Sequence, residues 1–244
     1  MDRLERIDRF LSVIAAAPDF RSLFKLVEAE IKRLGFERYT YRLLALPNGA
    51  RPDCVSTNYP AEWLTRYRAE NYEADDAIFH RMAESTRPII WSEVIKPAAL
   101  TSAQQRIFNE GADFGVVSGV SVPLWGPGAV RSRFGVASSG RPEEIEKLYR
   151  EHRHELQIMA TYVHERALAL VADEVPEQRV NLTAREIEVL KWTAAGKTSW
   201  ETANILTVTE ATVKEHLGNV CRKFGVKSRT HAVALGIWRG YLTP

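Results

Sequence analysis

The stretch LTAREIEVLKWTAAGKTSWETANILTVTEATVKEHLGNVCRKFGVKSRTHAVALGIWRGYL, residues 182–242, carries the start and stop signals of four short helices. Gly196 stands where the first of them needs a left-handed stop. A second helix is predicted over residues 199–206, and Thr209 caps a third. Two helix starts match the capping box, in which a hydroxyl and a carboxylate satisfy the free amides of the first turn: Thr183 with Glu186, and Thr198 with Glu201. Short helices joined by a tight turn at Thr207 are typical of a helix-turn-helix module, so an all-α DNA-binding domain is predicted here.

The third predicted helix has one apolar and one polar face. Its apolar stripe consists of Val213, Leu217, Val220, Cys221 and Phe224. Ala211 and Gly218 lie on the other face, where small side chains would let the helix approach a groove, although such residues are also common on surface helices. We predict DNA contacts from Thr198, Thr209, Thr212, Lys214, Glu215, Gly218, Asn219, Arg222, Lys223, Lys227 and Arg229.

Positive charge is concentrated in this C-terminal stretch. Residues 181–244 contain nine Lys and Arg against five Asp and Glu, whereas the preceding residues contain 24 against 26. A basic domain suits contacts with DNA phosphates. A merely solvated basic face is an equally good interpretation of the charge alone, because net charge reports non-specific attraction.

Length and composition indicate two domains. The chain has 244 residues, of which 45% are apolar and 26% charged. Domain 1 is predicted over residues 1–171, a linker over 172–180 and the helix-turn-helix domain over 181–244. We expect a cytoplasmic protein without membrane contact, because no apolar stretch approaches the roughly 20 residues of a span and the start lacks a signal peptide. Cys54 and Cys221 have neither metal-site spacing nor a disulfide pattern.

The N-terminal part mixes helix and strand patterns. Helices are predicted over residues 4–14 and 20–34, and strands over 38–46, 54–58, 120–125 and 132–138. With helices before, between and after the strands, we predict an α+β chain: an N-terminal α/β/α sandwich with a central antiparallel sheet, then an all-α four-helix domain. A long helix that Pro142 opens must pack on its own sheet or on another subunit, and its pattern fits both.

Aromatic side chains with polar tips are dense between the second and third strands. Tyr59, Trp63, Tyr67 and Trp91, with the carboxylate of Asp76, could enclose a small amphipathic ligand, since they combine apolar faces with directed hydrogen bonds. The alternative is an ordinary aromatic core in which Asp76 caps a helix.

Both halves of the chain resemble one family. The C-terminal stretch resembles the DNA-binding domain of LuxR-family transcription factors, whose pattern is matched by Glu186, Leu190, Gly196, Ala203, Val213, His216 and Leu217. The N-terminal part resembles the autoinducer-binding domain of LuxR-type quorum-sensing receptors, which bind N-acyl homoserine lactones between a sheet and a helical layer. The resemblance therefore covers nearly the entire chain.

This resemblance implies roles for particular residues. Trp63 would donate to the lactone carbonyl, Tyr59 would meet the acyl-amide oxygen, and Asp76 would accept from the amide N–H. Asp76 is preferred to its neighbour Asp75 on spacing. The remaining ligand-binding residues implied are the wall aromatics Tyr67 and Trp91, Ile107 beside the lactone, and the glycines Gly119 and Gly135.

The sequence departs from the family pattern at several of these places. Ala77 stands where proline is usual, and Gly135 where many members have Ser or Thr to support the acyl-amide oxygen. Ile107 replaces a residue that is often aromatic. Lys214 and Gly218 stand where some members have base-contacting arginines. The acyl group and the operator therefore cannot be carried over from the family.

The function expected is that of a ligand-controlled transcription factor without a cofactor or enzymatic activity. Its expected partners are an N-acyl homoserine lactone, a second copy of the chain, double-stranded promoter DNA with an inverted-repeat operator, and RNA polymerase. The alternatives are a receptor of the same fold that answers a different small molecule or none, a phosphorylation-controlled response regulator, and an enzyme domain fused to a DNA tether.

Overall fold

The structure, a computed structural model, describes residues 2–45, 54–126, 130–174 and 180–242. These residues form two compact units: one contains the sheet and the long helix that follows it, and the other contains the C-terminal helices. The mixed α+β architecture is as predicted. None of the helices in the described ranges is long and apolar enough to cross a membrane.

The first unit is built on a five-stranded sheet with the strand order β2-β1-β5-β4-β3. Antiparallel pairing joins β1 to β2 and β3 to β4, with Thr40 opposite Thr57 and Ile89 opposite Ser121. The strands are β1 (Arg38–Ala45), β2 (Cys54–Thr57), β3 (Ile89–Ile90), β4 (Ser118–Gly126) and β5 (Val130–Ser138). The predicted central antiparallel sheet is confirmed. The two-residue strand β3 is absent from the sequence-based prediction because it is too short to show alternation.

Helices cover this sheet. They are α1 (Arg3–Ala15), α2 (Phe20–Arg33), α3 (Ala61–Ala69), α4 (Ala77–Ala83), α5 (Trp91–Val94), α6 (Ser102–Asp113) and α7 (Pro142–Glu174). α7 packs against α1 and α2. It also packs on its own sheet, because His164 Nδ1 lies 2.9 Å from Tyr41 Oη of β1 and 2.9 Å from Ser132 Oγ of β5.

The end of α7 differs from the prediction. The helix continues to Glu174 and so includes the first three residues of the stretch predicted as a linker. These three residues, Ala172, Asp173 and Glu174, were assigned to the linker because the stretch is mostly polar. Alanine and glutamate are nevertheless good helix formers, so the helix continues through them. Residues 175–179 of the predicted linker lie outside the described ranges.

The second unit is a four-helix domain of α8 (Ala184–Ala194), α9 (Ser199–Leu206), α10 (Glu210–Phe224) and α11 (Arg229–Trp238). Both predicted capping boxes are present. Gly196 has φ +80°, as its predicted left-handed stop requires. The turn between α9 and α10 places Thr207 at φ 55°. The core contains Val189, Leu190, Ala203, Val213, Leu217, Val220 and Phe224. The predicted apolar stripe of α10 thus faces inward, with Cys221 partly buried beside it.

Candidate functional site

A narrow cavity of about 90 Å³ lies between the sheet and the layer of helices α3 to α6. We call it the inner cavity. Seven of the eight predicted ligand-binding residues line it: Tyr59, Trp63, Tyr67, Asp76, Trp91, Ile107 and Gly135. The other lining residues are Thr40, Leu64, Ile78, Phe108, Gly111, Val116, Ser121, Arg133 and Phe134. Aromatic packing fixes much of this wall, since the Trp63 ring contacts the Tyr67 ring edge-on at 5.6 Å between centroids.

Gly119 is the predicted ligand-binding residue that is not among the lining residues of the inner cavity, and its role in ligand binding stays a prediction. It lies behind Trp91, so that a Cβ added at Gly119 would come within 2.6 Å of the indole ring. A residue with a side chain would push the ring away. Trp91 Nε1 donates to Ser121 Oγ at 2.9 Å, which holds the ring in this position. Gly119 therefore acts on the cavity through Trp91.

Asp76 caps a helix and also lines the inner cavity, two placements that were alternatives in the sequence. Its Oδ1 atom caps α4 by accepting from the backbone N–H of Ile78 at 2.8 Å. Its Oδ2 atom accepts from Tyr67 Oη at 2.7 Å. Asp75 is exposed, whereas Asp76 is partly buried and lines the cavity. A carboxylate has about four lone-pair sites, so one held in this way can still accept a ligand N–H.

Tyr59 presents a buried hydroxyl to this site. Its Oη atom is inaccessible to solvent and has no hydrogen-bond partner within the described part of the chain. An unsatisfied buried polar group costs about 1–3 kcal/mol. Burial raises the pKa of Tyr59, an effect that the charge of Arg133 opposes. Burial and the neighbouring Asp76 carboxylate raise the pKa of Tyr67. Both phenols are therefore neutral donors at physiological pH.

A polar cluster connects α3 and α6, two helices that line the inner cavity. Glu110 of α6 accepts from Arg66 Nε of α3 at 3.0 Å, from Tyr72 Oη at 2.6 Å and from Arg106 Nε at 2.7 Å. These hydrogen bonds, among which that of Arg66 has the largest effect, lower the pKa of Glu110 to about 2. The arginines of the cluster are exposed, so the ion pairs add little stability, but they link α3 to α6.

Three polar lining residues were missed by sequence reasoning: Thr40, Ser121 and Arg133. The alternation of strand side chains could have found Arg133, since Gly135 was placed at the pocket and residues two apart share a face. A Cβ added at Gly135 would lie 3.1 Å from Thr40 Cγ2 and 3.6 Å from Ser121 Oγ. The Thr40 methyl and the Ser121 hydroxyl thus lie beside the position where the family pattern has Ser or Thr.

The predicted DNA-contacting face of α10 is open to solvent. Lys214, Glu215, Gly218 and Arg222 are exposed and Asn219 is partly exposed. Lys214 also pairs with Glu210 of its own helix at 2.7 Å. Of the other predicted contacts, Lys227 and Arg229 are exposed. Three more are threonines: Thr198 caps α9, Thr209 caps α10, and Thr212 lies in the first turn of α10.

Lys223 has a structural role that the sequence did not indicate, and its contact with DNA stays a prediction. Its Nζ atom lies 2.7 Å from Glu186 Oε2 and 2.8 Å from the carbonyl oxygen of Asn181. Glu186 is 3% exposed and also accepts from the backbone N–H of Thr183 at 2.7 Å. Burial raises the pKa of Glu186, but the hydrogen bonds from Lys223 and Thr183 outweigh it and hold the pKa below its usual value. The ion pair between Lys223 and Glu186 therefore links α10 to α8.

Comparisons with known proteins agree with both units. The family described as "Autoinducer binding domain" matches residues 19–167, and the family "Bacterial regulatory proteins, luxR family" matches residues 180–235. The chain is 32% identical over 244 residues to the HTH-type quorum sensing-dependent transcriptional regulator RpaR of Rhodopseudomonas palustris, covering 99% of this chain and 93% of that protein. It is 32% identical over 225 residues to the HTH-type quorum-sensing regulator RhlR of Pseudomonas aeruginosa, covering 90% of each.

The fold is also found in a solved structure. The crystal structure of Escherichia coli SdiA is similar with a TM-score of 0.80 over 100% of both chains, at 23% sequence identity. These families consist of transcriptional regulators rather than enzymes, as the sequence predicted. The chain therefore belongs to the LuxR family of quorum-sensing transcriptional regulators, with an autoinducer-binding domain followed by a LuxR-type helix-turn-helix DNA-binding domain.

Proposed function

We propose that this protein binds an N-acyl homoserine lactone in the inner cavity and, as a homodimer, binds an inverted-repeat operator. The observation that carries the proposal is the pairing of Tyr59 and Asp76 in one cavity: a buried phenol with no hydrogen-bond partner among the described residues, and a fixed carboxylate. A secondary amide needs one donor for its oxygen and one acceptor for its N–H, and these two groups supply them.

The rest of the ligand fits the remaining wall. The buried indole of Trp63 is a donor for the lactone carbonyl, and Ile107 gives apolar contact beside it. Ser121, beside Gly135, adds a hydroxyl for the acyl-amide oxygen. The cavity therefore has polar groups for the head of the ligand within a mostly aromatic enclosure, which is how small-molecule sites combine orientation with affinity.

Dimer formation is supported by the exposed side of α7. Ile158 and Tyr162, one turn apart, are 37% and 47% exposed on a helix whose other face is buried. Apolar groups so placed suit a symmetric contact with a second copy. Two reading helices in such a dimer would meet successive major grooves, about 34 Å apart. On DNA the protein would act in the cytoplasm, and RNA polymerase is its expected further partner.

Ligand binding is tested by the melting temperature of the full chain with a panel of acyl homoserine lactones. A ligand that binds the folded state stabilises it by about 2.7 kcal/mol at a hundredfold excess over Kd. Asp76→Leu and Tyr59→Phe should weaken this effect, and Asp75→Leu, one residue away on the exposed side, is the matched control. If no lactone raised the melting temperature or changed binding to the promoter, the proposed ligand class would be wrong.

A different small molecule is the second candidate. The observation that favours it is the charged Arg133 in the cavity wall together with Gly135, which departs from the family pattern. Mass spectrometry of ligand that copurifies with the protein distinguishes the two, because a homoserine lactone ring has a characteristic mass loss. A copurified molecule without that ring would favour this alternative.

A further inference from the structure

A second cavity of about 540 Å³ adjoins the inner cavity. We call it the outer cavity. Four residues line both cavities and so stand between them: Thr40, Leu64, Tyr67 and Arg133. The inner cavity is narrow, so the part of a ligand beyond its amide must extend along this partition or past it. Arg133 is the residue of the partition that carries a permanent charge.

The guanidinium of Arg133 is partly satisfied by its surroundings. Its Cζ atom lies 5.4 Å from the ring centroid of Phe79, a cation–π contact. Its Nε atom, however, is buried and has no hydrogen-bond partner in the described ranges. A buried N–H of a charged group that lacks an acceptor is costly, and a hydrogen bond to a charged group is stronger than one between neutral groups.

A plain hydrocarbon chain is a poor neighbour for this group. It would exclude water from the partition and leave the Arg133 Nε–H without an acceptor, so part of the binding free energy would be lost to desolvation. A carbonyl or hydroxyl oxygen on the chain would accept that hydrogen bond. The rest of the inner cavity is mostly aromatic and aliphatic, so it gives similar apolar contact to both kinds of chain. The outer cavity also has polar walls, with Arg42, Arg68, Asn71, Glu73 and His80 among its lining residues, so the Arg133 variants are needed to assign the preference to Arg133.

We propose that Arg133 makes the receptor selective for acyl groups that carry an oxygen acceptor. This inference rests on the proposed binding of an acyl homoserine lactone, and it adds the chemical class of the acyl group. Arg133 acts as a specificity-determining residue: its Nε–H donates to an oxygen on the acyl chain at the partition between the inner and outer cavities.

The test measures Kd of the full-length protein for hexanoyl homoserine lactone and for its 3-oxo, 3-hydroxy and 6-hydroxy derivatives. These four ligands have the same chain length and differ in the oxygen alone. We expect at least one derivative to bind about tenfold or more tightly than the plain chain, as a charge-assisted hydrogen bond implies. Arg133→Met should reduce that preference to within about twofold, chiefly by weakening the oxygenated ligand.

Arg131→Met is the matched control. Arg131 lies two residues away on the same strand and makes the same kind of contact, with its Cζ 5.0 Å from the Trp125 ring, but it is exposed and lines neither cavity. Its substitution should leave the ligand preference unchanged. A similar loss of preference in both variants would overturn the specific role of Arg133.

The wild-type measurements can refute the proposal even if Arg133→Met fails to fold. Equal or tighter binding of the plain chain than of every derivative would overturn it, and so would a preference that persists in Arg133→Met or in the smaller neutral variant Arg133→Ala. Lactone binding without an oxygen preference would leave the proposed function intact. If none of the lactones bound, the proposed function would fail and this inference with it.

Discussion

Replacement of Gly119 by alanine should damage the site through Trp91. The added Cβ would lie 2.6 Å from Trp91 Cε2 and 2.8 Å from both Cδ2 and Cζ2. Carbon atoms pack best at about 3.5–4.0 Å, so the ring or the strand must move by about 1 Å. Such overpacking costs about 1–3 kcal/mol, and the movement also strains the 2.9 Å hydrogen bond from Trp91 to Ser121. We expect Gly119→Ala to lower the free energy of unfolding by about 2 kcal/mol.

Urea unfolding of the full chain measures this cost, and ligand titration measures the accompanying loss of affinity. A second substitution separates the clash with the indole from a general intolerance of strand β4. In a double-mutant cycle, Trp91→Leu should relieve most of the cost of Gly119→Ala, since the smaller side chain leaves room for the new Cβ. Gly218→Ala is the control for the glycine change itself, because no atom of the described residues lies within 4 Å of the Cβ it adds.

The reasoning would be refuted by a Gly119→Ala protein of wild-type stability. It would also be refuted if the cost of Gly119→Ala were the same with Leu at position 91 as with Trp91, since the clash would then not involve the indole. A stable Gly119→Ala protein that bound ligand normally would show that the position of Trp91 does not matter for the cavity.

The remaining predictions concern a buried histidine, the tie between α8 and α10, and the reading face. Burial lowers the pKa of His164 to about 4, below the ordinary value near 6.5 that it has when unfolded, so its neutral form is favoured by folding and stability falls as pH drops below about 6.5. His164→Gln should remove about 1 kcal/mol of the loss between pH 7.5 and 5.5, measured by urea unfolding at each pH. Glu186→Gln should lower the free energy of unfolding by about 1–2 kcal/mol, with a smaller effect once Lys223 is already Met, and additive effects would exclude the coupling. Asn219→Ala should weaken operator binding by about 1–3 kcal/mol at unchanged melting temperature, whereas Lys227→Ala should reduce the salt dependence of binding; fluorescence anisotropy at several salt concentrations checks both, and an unchanged affinity and salt slope would contradict the predicted face.

Local signals in the C-terminal sequence were sufficient to predict that domain. Thr183 and Thr198 cap their helices as predicted, and Gly196 adopts its left-handed conformation. These features depend on residues within one turn of each other, so they can be predicted from local sequence patterns. The ion pair of Lys223 with Glu186 joins residues 37 positions apart, and no local pattern distinguishes that lysine from one that meets DNA.

In the N-terminal unit, the four longer strands followed from alternation, and the aromatic stretch showed which side chains could enclose a ligand. Strand β3 was not predicted, because a strand of two residues is too short to show an alternating pattern of apolar and polar side chains. The sequence also left open whether Asp76 caps a helix or faces a ligand. The structure gives its two oxygens different partners, so the capping role and the place in the cavity wall are compatible.

The sequence by itself determined the two-part α+β architecture, the helix-turn-helix domain and the family, because these depend on periodicity, capping and residue spacing along the chain. Only the tertiary structure decided that Gly119 supports Trp91, that Thr40 and Ser121 flank Gly135, and that Arg133 lines two cavities. These relations join separate strands and helices, and the distance between such atoms is set by how the layers pack. No spacing in the sequence encodes that distance.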